Sequence, residues 1–272
     1  MTQIETRAEL RPLGSLYEAT RQRIVRLVRE ASIDDVMAAA TQVPACPGWR
    51  VRDVVAHLSG LATDIATGNL DGSATDAWTA AQVSSRRNLS IVDLLAESDE
   101  VGPQLASYLD DFPGRYGAQV AADVTVHEHD IRGALRRPGA RDSEGVTHSV
   151  TFLLDTWAGP AARALGLPAL HITAGECSTV VGGADAAGSG DPTAAIQTAL
   201  STWSWPAESD GPSAVPPSTP QLRASPFELL RSLTGRRSIQ QVHALGWSAD
   251  PRVYDALFGL WPFVPRSDDL VE

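Results

Sequence analysis

The chain has 272 residues, 43% of them hydrophobic, and its 22 basic residues against 33 acidic ones give a net charge of −11. That length and hydrophobic share are enough for one large domain or two ordinary ones with a buried core. A surface this acidic repels the phosphate backbone of nucleic acids, so we expect no nucleic-acid partner.

Targeting and redox signals are weak throughout the sequence. No uninterrupted apolar run reaches the ~18 residues that a membrane-spanning helix needs, so no membrane partner is expected. Residues 1–9 contain acids and no apolar core segment, which argues against a signal peptide and for a cytoplasmic location. Cys46 and Cys177 lie far apart and lack metal-binding spacing, so we interpret them as reduced thiols.

The first 165 residues have a helical pattern. Apolar residues recur at helical spacing and predict helices over 14–41, 51–61, 78–87, 91–109, 117–135 and 144–165. Proline and glycine punctuate them, for example at Pro47 and Gly48 and at Pro138 and Gly139. Amphipathic helices with short to moderate connections are typical of an up-and-down bundle, so we predict such a bundle over residues 1–165.

The pattern changes after residue 165. The segment LHITAGECSTVV, residues 170–181, alternates apolar and polar side chains and predicts a strand. Residues 209–220 are rich in serine and proline and are interpreted as a linker or surface loop. In SPFELLRSLTGRRS, residues 225–238, Ser225 is placed to cap a helix that ends near Gly235. We therefore predict a smaller α/β domain over residues 166–272, and an α+β fold for the whole chain.

The segment DVTVHEHDIR carries the clearest chemical signal. Asp123 and His127 are four residues apart and share one face of a helix, and Asp130 lies beside that face. A carboxylate and an imidazole at this spacing can clasp a divalent ion such as zinc. His129 is two residues from His127 and points about 200° around the helix from it, so we expect it to face solvent.

A third ligand must come from another helix, as metal sites in bundle cores usually require. His57, at the edge of the apolar stripe of the second helix, is the natural candidate, and His148 is an alternative. His171 and His243 fall in the second domain and fit less well. A histidine on an apolar helix face is more often a core residue, and an Asp–His pair more often a local hydrogen bond. The residue pattern alone therefore leaves both interpretations open.

Four segments resemble one known family. They are VPACPGWRVRDVVAHLSG (43–60), DVTVHEHDIRGAL (123–135), SPFELLRSLTGRRS (225–238) and GWSADP (246–251). Together they resemble the mycothiol-dependent maleylpyruvate isomerase family. The resemblance implies a DinB-like four-helix bundle followed by a smaller, sterol-carrier-protein-like α/β domain. It also implies a zinc-type site of His, Glu and His, which maps onto His57, Asp123 and His127. Asp123 is one methylene shorter than the usual glutamate.

The resemblance also implies a chemistry. A position left open on the metal would receive the thiol of mycothiol, and the metal-bound thiolate would attack a small electrophile in an isomerase or S-transferase reaction. Asp130 would orient a ligand histidine. Arg236 and Arg237 are candidates for binding an acidic substrate. Cys46 is interpreted as a turn residue, since the reacting thiol comes from the cosubstrate.

Several expectations stay open. A non-catalytic metal- or ligand-binding protein and a metal-dependent hydrolase are the competing functions. For the assembly, the sequence is compatible with a monomer or a homodimer.

Overall fold

The computed structural model describes residues 12–35, 37–111, 114–183, 190–202, 215–260 and 262–272. Within them the fold is mixed α+β, as predicted, with helices up to residue 164 and a four-stranded sheet with short helices after it. The predicted leader-free segment 1–9 and most of the predicted linker, residues 209–214, lie outside the described part of the chain.

The helices of the first part follow the predicted periodicity closely. Their bounds are α1 Leu13–Asp34, α2 Val51–Thr67, α3 Asp76–Ser85, α4 Ile91–Asp111, α5 Arg115–Leu135, α6 Glu144–Leu153 and α7 Gly159–Ala164. The first helix ends earlier than predicted, because the chain turns extended at Asp35 before a 3₁₀ turn at Ala38–Ala40. A π-helical turn, Leu154–Ala158, divides the helix predicted over 144–165 into α6 and α7.

Four of these helices enclose a common apolar core. Helix α1 packs against α4 and α5, and α2 packs against the same two partners, so the contacts close a cycle. Helix α3 packs on α2, and α6 packs on α5. Fully buried apolar side chains from each helix of the cycle meet inside it, among them Val28, Val54, Leu105 and Ile131. This arrangement holds α2 and α5 side by side.

The second part contains a small sheet in the order β2-β1-β3-β4. Its strands are β1 Leu170–Ala174, β2 Cys177–Val181, β3 Gln221–Ala224 and β4 Gly246–Trp247. Strand β1 pairs with β2 as an antiparallel hairpin and with β3 in parallel, and β4 is antiparallel to β3. The single strand predicted over 170–181 is therefore two strands of one hairpin.

Short helices complete the second part: α8 Pro192–Thr202, α9 Pro226–Leu233, α10 Ile239–His243 and α11 Asp255–Phe258. The predicted cap of α9 is confirmed, since Ser225 Oγ accepts a hydrogen bond from the backbone N–H of Glu228 at 3.1 Å. One continuous cluster of buried apolar residues includes side chains from the helices and from the sheet. The division at residue 165 into two domains stays a prediction.

Helix α5 is buried on nearly every face. Helices α1 and α2 cover one side of it, while α6 and α9 cover the other; Arg231 of α9 donates to the carbonyl oxygen of Val126 at 3.4 Å. Glu128, His129 and Asp130 are therefore all buried. The expectation that His129 faces solvent is wrong, because its ring packs edge-on against Phe227 of α9 with 4.9 Å between ring centroids.

Candidate metal centre

The three predicted ligands come together between α2 and α5. His57 lies on α2, and Asp123 and His127 lie one turn apart on α5. Asp123 Oδ2 is 3.3 Å from His57 Nε2, and Asp123 Oδ1 is 3.6 Å from His127 Nε2. One ligand atom from each residue lies within 4.8 Å of the others. The packing of α2 beside α5 thus forms a two-histidine, one-carboxylate set.

The spacing of these atoms suits a tetrahedral ion. Metal–ligand bonds of about 2.0–2.2 Å at tetrahedral angles place neighbouring ligand atoms roughly 3.3–3.6 Å apart. The separations from the Asp123 oxygens to the two imidazole nitrogens are 3.3 and 3.6 Å. The shorter reach of aspartate is therefore accommodated by the backbone positions, and the set fits zinc both in its donor atoms and in its geometry.

His57 is oriented by a partner that the sequence did not reveal. Gln82 Oε1 is 2.8 Å from His57 Nδ1, and Gln82 Nε2 donates to Asp64 Oδ2 at 2.8 Å. Because the second bond fixes which end of the amide is oxygen, His57 Nδ1 must carry the proton and Nε2 is left free to accept. This is the outer hydrogen bond that histidine ligands of metals characteristically make.

A glycine allows Gln82 to approach. A Cβ atom at Gly60 of α2 would lie 2.6 Å from Cβ of Gln82, a distance that real side chains do not tolerate. The missing side chain lets α3 lie directly against α2. Gln82, the buried residue of α3, then reaches His57 across the helix interface.

His127 is oriented by Asp130, as expected. Its Nδ1 lies 3.0 Å from Asp130 Oδ2, which leaves Nε2 directed toward Asp123. Asp130 is fully buried and binds two arginines of the second part of the chain: Arg231 Nη1 donates to Oδ1 at 2.7 Å, and Arg236 Nη2 donates to Oδ2 at 2.9 Å. Burial raises the pKa of Asp130, but the charges of Arg236 and Arg231 outweigh it and hold the pKa well below its usual range.

The centre is electrostatically paired even without an ion. Burial lowers the pKa of His57, yet the hydrogen bond and negative charge of Asp123 raise it on balance. Burial likewise raises the pKa of Asp123, but His127 and His57 lower it overall. A carboxylate held ionised between two imidazoles is the state in which all three groups can ligate a cation.

One side of the centre is closed and the other is open. The indole of Trp49 stacks on His127 at 6.1 Å and is tilted against His57 at 5.5 Å, measured between ring centroids. The side chain of Asp123 is 36% exposed, whereas those of His57 and His127 are 6% and 10% exposed. The approach from solvent therefore lies on the side of Asp123.

A second group of possible ligands overlaps the first. Cys46, His127 and Asp130 also lie within 4.8 Å of one another, and they share His127 through its other ring nitrogen. Cys46 donates its thiol hydrogen to Asp130 Oδ2 at 3.1 Å and lies 4.0 Å from His127 Nδ1. Burial, followed by the nearby charge of Asp130, raises the pKa of this thiol.

The structure separates the two arginine candidates. Arg236 lies at the centre, with its Nη2 also 3.6 Å from Cys46 Sγ. Arg237 points away and pairs with Glu228 at 2.7 Å and Glu272 at 3.1 Å. Arg236 is thus the candidate that the fold brings to the open side of the site.

The other histidines are placed elsewhere. His148, the alternative ligand, lies 3.0 Å from the carbonyl oxygen of Ala118 through Nε2, outside both ligand groups. His171 and His243 bind Ser178 and Asp255 in the second part of the chain.

Comparison with models of known protein families, with curated proteins and with solved structures finds no match. Among the described helices, none is both long enough and apolar enough to cross a bilayer. The centre itself and the motif resemblance therefore carry the functional proposal.

Proposed function

We propose that this chain is a divalent-metal-dependent enzyme that uses a small thiol, mycothiol in the family it resembles, in isomerisation of or S-transfer to a small electrophile. One observation carries the proposal: His57 and His127 both direct Nε2 at the Asp123 carboxylate, and each is held in that orientation by its own buried partner. Three protein ligands leave a coordination position for an exogenous group, which is typical of catalytic rather than structural zinc.

The fold supports the same assignment. The closed cycle of α1, α4, α2 and α5 agrees with a DinB-like bundle, and the mixed sheet flanked by short helices agrees with a small sterol-carrier-protein-like domain. In the proposed arrangement the bundle supplies the ligands, and the second domain supplies arginines to the same centre through α9 and the residues that follow it.

A divalent ion in this centre would lower the pKa of a bound thiol and so supply a nucleophile at neutral pH. The protein groups prepare for that role. Trp49 and the helix core exclude water from the buried side of the two imidazoles, and the exposed edge of Asp123 marks where a thiol and an electrophile would enter.

Arg236 is suited to an anionic substrate group mainly through its charge. It makes four hydrogen bonds, to Asp130 twice, to the carbonyl oxygen of Thr234 and to Cys46 Sγ. A guanidinium has five N–H donors, so these bonds leave one for a ligand. We therefore propose that Arg236 attracts a carboxylate and donates one hydrogen bond to it, rather than gripping it with two parallel bonds.

Metal content and thiol dependence together test this proposal. The protein purified with zinc should contain one ion per chain by elemental analysis, and His57→Ala and His127→Ala should each lose it. His171→Ala is the matched control, because His171 binds Ser178 outside the centre and its loss should leave the zinc in place. Full zinc content in both centre variants would refute the proposed site.

Activity divides the remaining alternatives. Turnover of a small electrophile, with maleylpyruvate as the first probe, should require both zinc and added mycothiol. Turnover with zinc but without thiol would identify a metal-dependent hydrolase instead. Zinc binding without any turnover, or an absence of zinc from the wild-type protein, would favour a non-catalytic binding protein.

A further inference from the structure

Two possible metal positions share His127, and this inference rests on the proposed metal centre being real. The first position uses His127 Nε2 with His57 and Asp123. The second would use His127 Nδ1 with Asp130 and Cys46, whose ligand atoms lie 3.0–4.0 Å apart. One imidazole ring in its neutral form cannot serve both positions, because only one of its nitrogens is free of a proton.

The second position would suit a thiophilic ion on ligand type alone. Thiolate sulfur with imidazole nitrogen binds zinc and other soft ions well, and a set containing Cys46 is softer than one with a carboxylate and two histidines. Ligand chemistry therefore does not explain why an ion would choose the position beside His57. The charges around Asp130 do.

Asp130 is already neutralised from two sides. Arg231 and Arg236 bind its two oxygens at 2.7 and 2.9 Å, and the side chain of Arg231 is fully buried. Asp130 Oδ2, the oxygen that an ion would need, also accepts the bond from Arg236 and the Cys46 thiol hydrogen. A divalent ion there would meet two fixed positive charges in a water-poor interior, where repulsion between charges is strong.

We infer that Arg231 and Arg236 determine metal selectivity within the protein: by clamping Asp130 they exclude a cation from the Cys46 position and commit His127 Nε2 to His57 and Asp123. Both arginines belong to the second part of the chain, on α9 and just after it. In this view the second domain decides which of two overlapping ligand sets in the helical part is used. Arg236 holds the more accessible oxygen and also contacts the Cys46 sulfur, so it is the residue to change.

Cobalt substitution gives a direct readout, since a cobalt–thiolate bond absorbs in the near ultraviolet and ligation by nitrogen and oxygen alone does not. The wild-type protein loaded with Co²⁺ should lack the thiolate band. In Arg236→Met the Asp130 Oδ2 atom loses its cation, so Co²⁺ should recruit Cys46 Sγ, whose proton passes to the buffer, and the band should appear at up to one thiolate per ion. Adding Cys46→Ser to that variant should abolish the band.

Arg237→Met is the matched control. Arg237 is the next residue in the chain and also binds buried carboxylates, but it does not contact Asp130. Its cobalt spectrum should match that of the wild type. If Arg236→Met does not fold, Arg236→Gln removes the charge while keeping a donor near Oδ2, and a weaker thiolate band is expected.

Three results would overturn the inference: a thiolate band in the wild type, its absence from folded, cobalt-loaded Arg236 variants, or its appearance in Arg237→Met. Failure of the proposed function has a different signature. If the wild type binds no Co²⁺ at all, the metal centre itself is wrong, whereas a wild type that binds Co²⁺ without thiolate supports the centre whatever the variants show.

Discussion

Replacing Gln82 with leucine removes the acceptor that fixes the His57 ring. Gln82 is 2% exposed and His57 is 5% exposed, so water does not substitute for the lost 2.8 Å hydrogen bond. His57 Nδ1 is then free to exchange its proton with Nε2, and the ring loses its preference for presenting Nε2 to the metal. Outer hydrogen-bond partners of metal-bound histidines typically contribute about 10- to 100-fold in affinity, which corresponds to about 1.4–2.7 kcal/mol.

A chelator-competition titration of the metal-free protein with Zn²⁺ measures this change. The Kd should rise by the same factor of about 10 to 100 in Gln82→Leu. Gln22→Leu is the control, because Gln22 makes an exposed bond to Glu18 at 2.7 Å on the outside of α1. Urea unfolding of both variants would separate a local effect from general destabilisation. A Kd for Gln82→Leu within about twofold of the wild-type value would refute the role assigned to Gln82.

Three further outcomes follow from contacts in the same region. Asp123→Asn should lower Zn²⁺ affinity by more than the ~100-fold upper range for an outer partner, measured by the same titration, and an unchanged Kd would remove Asp123 from the ligand set. Arg231→Met should lower the free energy of unfolding in urea by about 3–5 kcal/mol, because it leaves buried carboxylates short of a partner, whereas Arg252→Met, which breaks an exposed pair, should cost less than about 1 kcal/mol; equal losses would contradict this reasoning. Burial lowers the pKa of His148 to about 4 from 6.5, so the unfolded chain binds this proton more tightly. The contribution of His148 to stability should be complete above pH 6.5 and fall by up to about 3 kcal/mol toward pH 4, and a profile no flatter in His148→Gln would count against it.

The sequence predicted the helices well because their apolar stripes face one shared core. The bounds of α2, α4 and α5 differ from the predicted ones by a few residues at most, apart from the C-terminal end of α2, which runs on to Thr67. Helical spacing also placed Asp123, His127 and Asp130 on one side of α5, and they meet there. Local periodicity is sufficient for relations of this kind, because they lie within one helix.

Relations between distant segments could not be predicted from periodicity. His129 was expected in solvent because a helix in a bundle has one wet face, but α9 covers that face and buries the ring against Phe227. Gln82 gave no signal, since one glutamine in a polar helix is ordinary until Gly60 lets that helix approach α2. Arg231 read as a cation on a short amphipathic helix, and only the packing of α9 on α5 brings it to Asp130.

The burial of α5 on nearly every face also bears on how an ion enters and leaves. Backbone amides in so enclosed a helix exchange with deuterium mainly when the whole molecule unfolds, so Asp123 and His127 stay fixed on the slowest-exchanging segment. His57, by contrast, depends on α3, which carries one buried residue, Gln82, and lies near the surface. Transient opening of α3 therefore releases the His57 ligand while the other two stay in place. Metal exchange thus proceeds on the timescale of a local opening and without unfolding of the molecule.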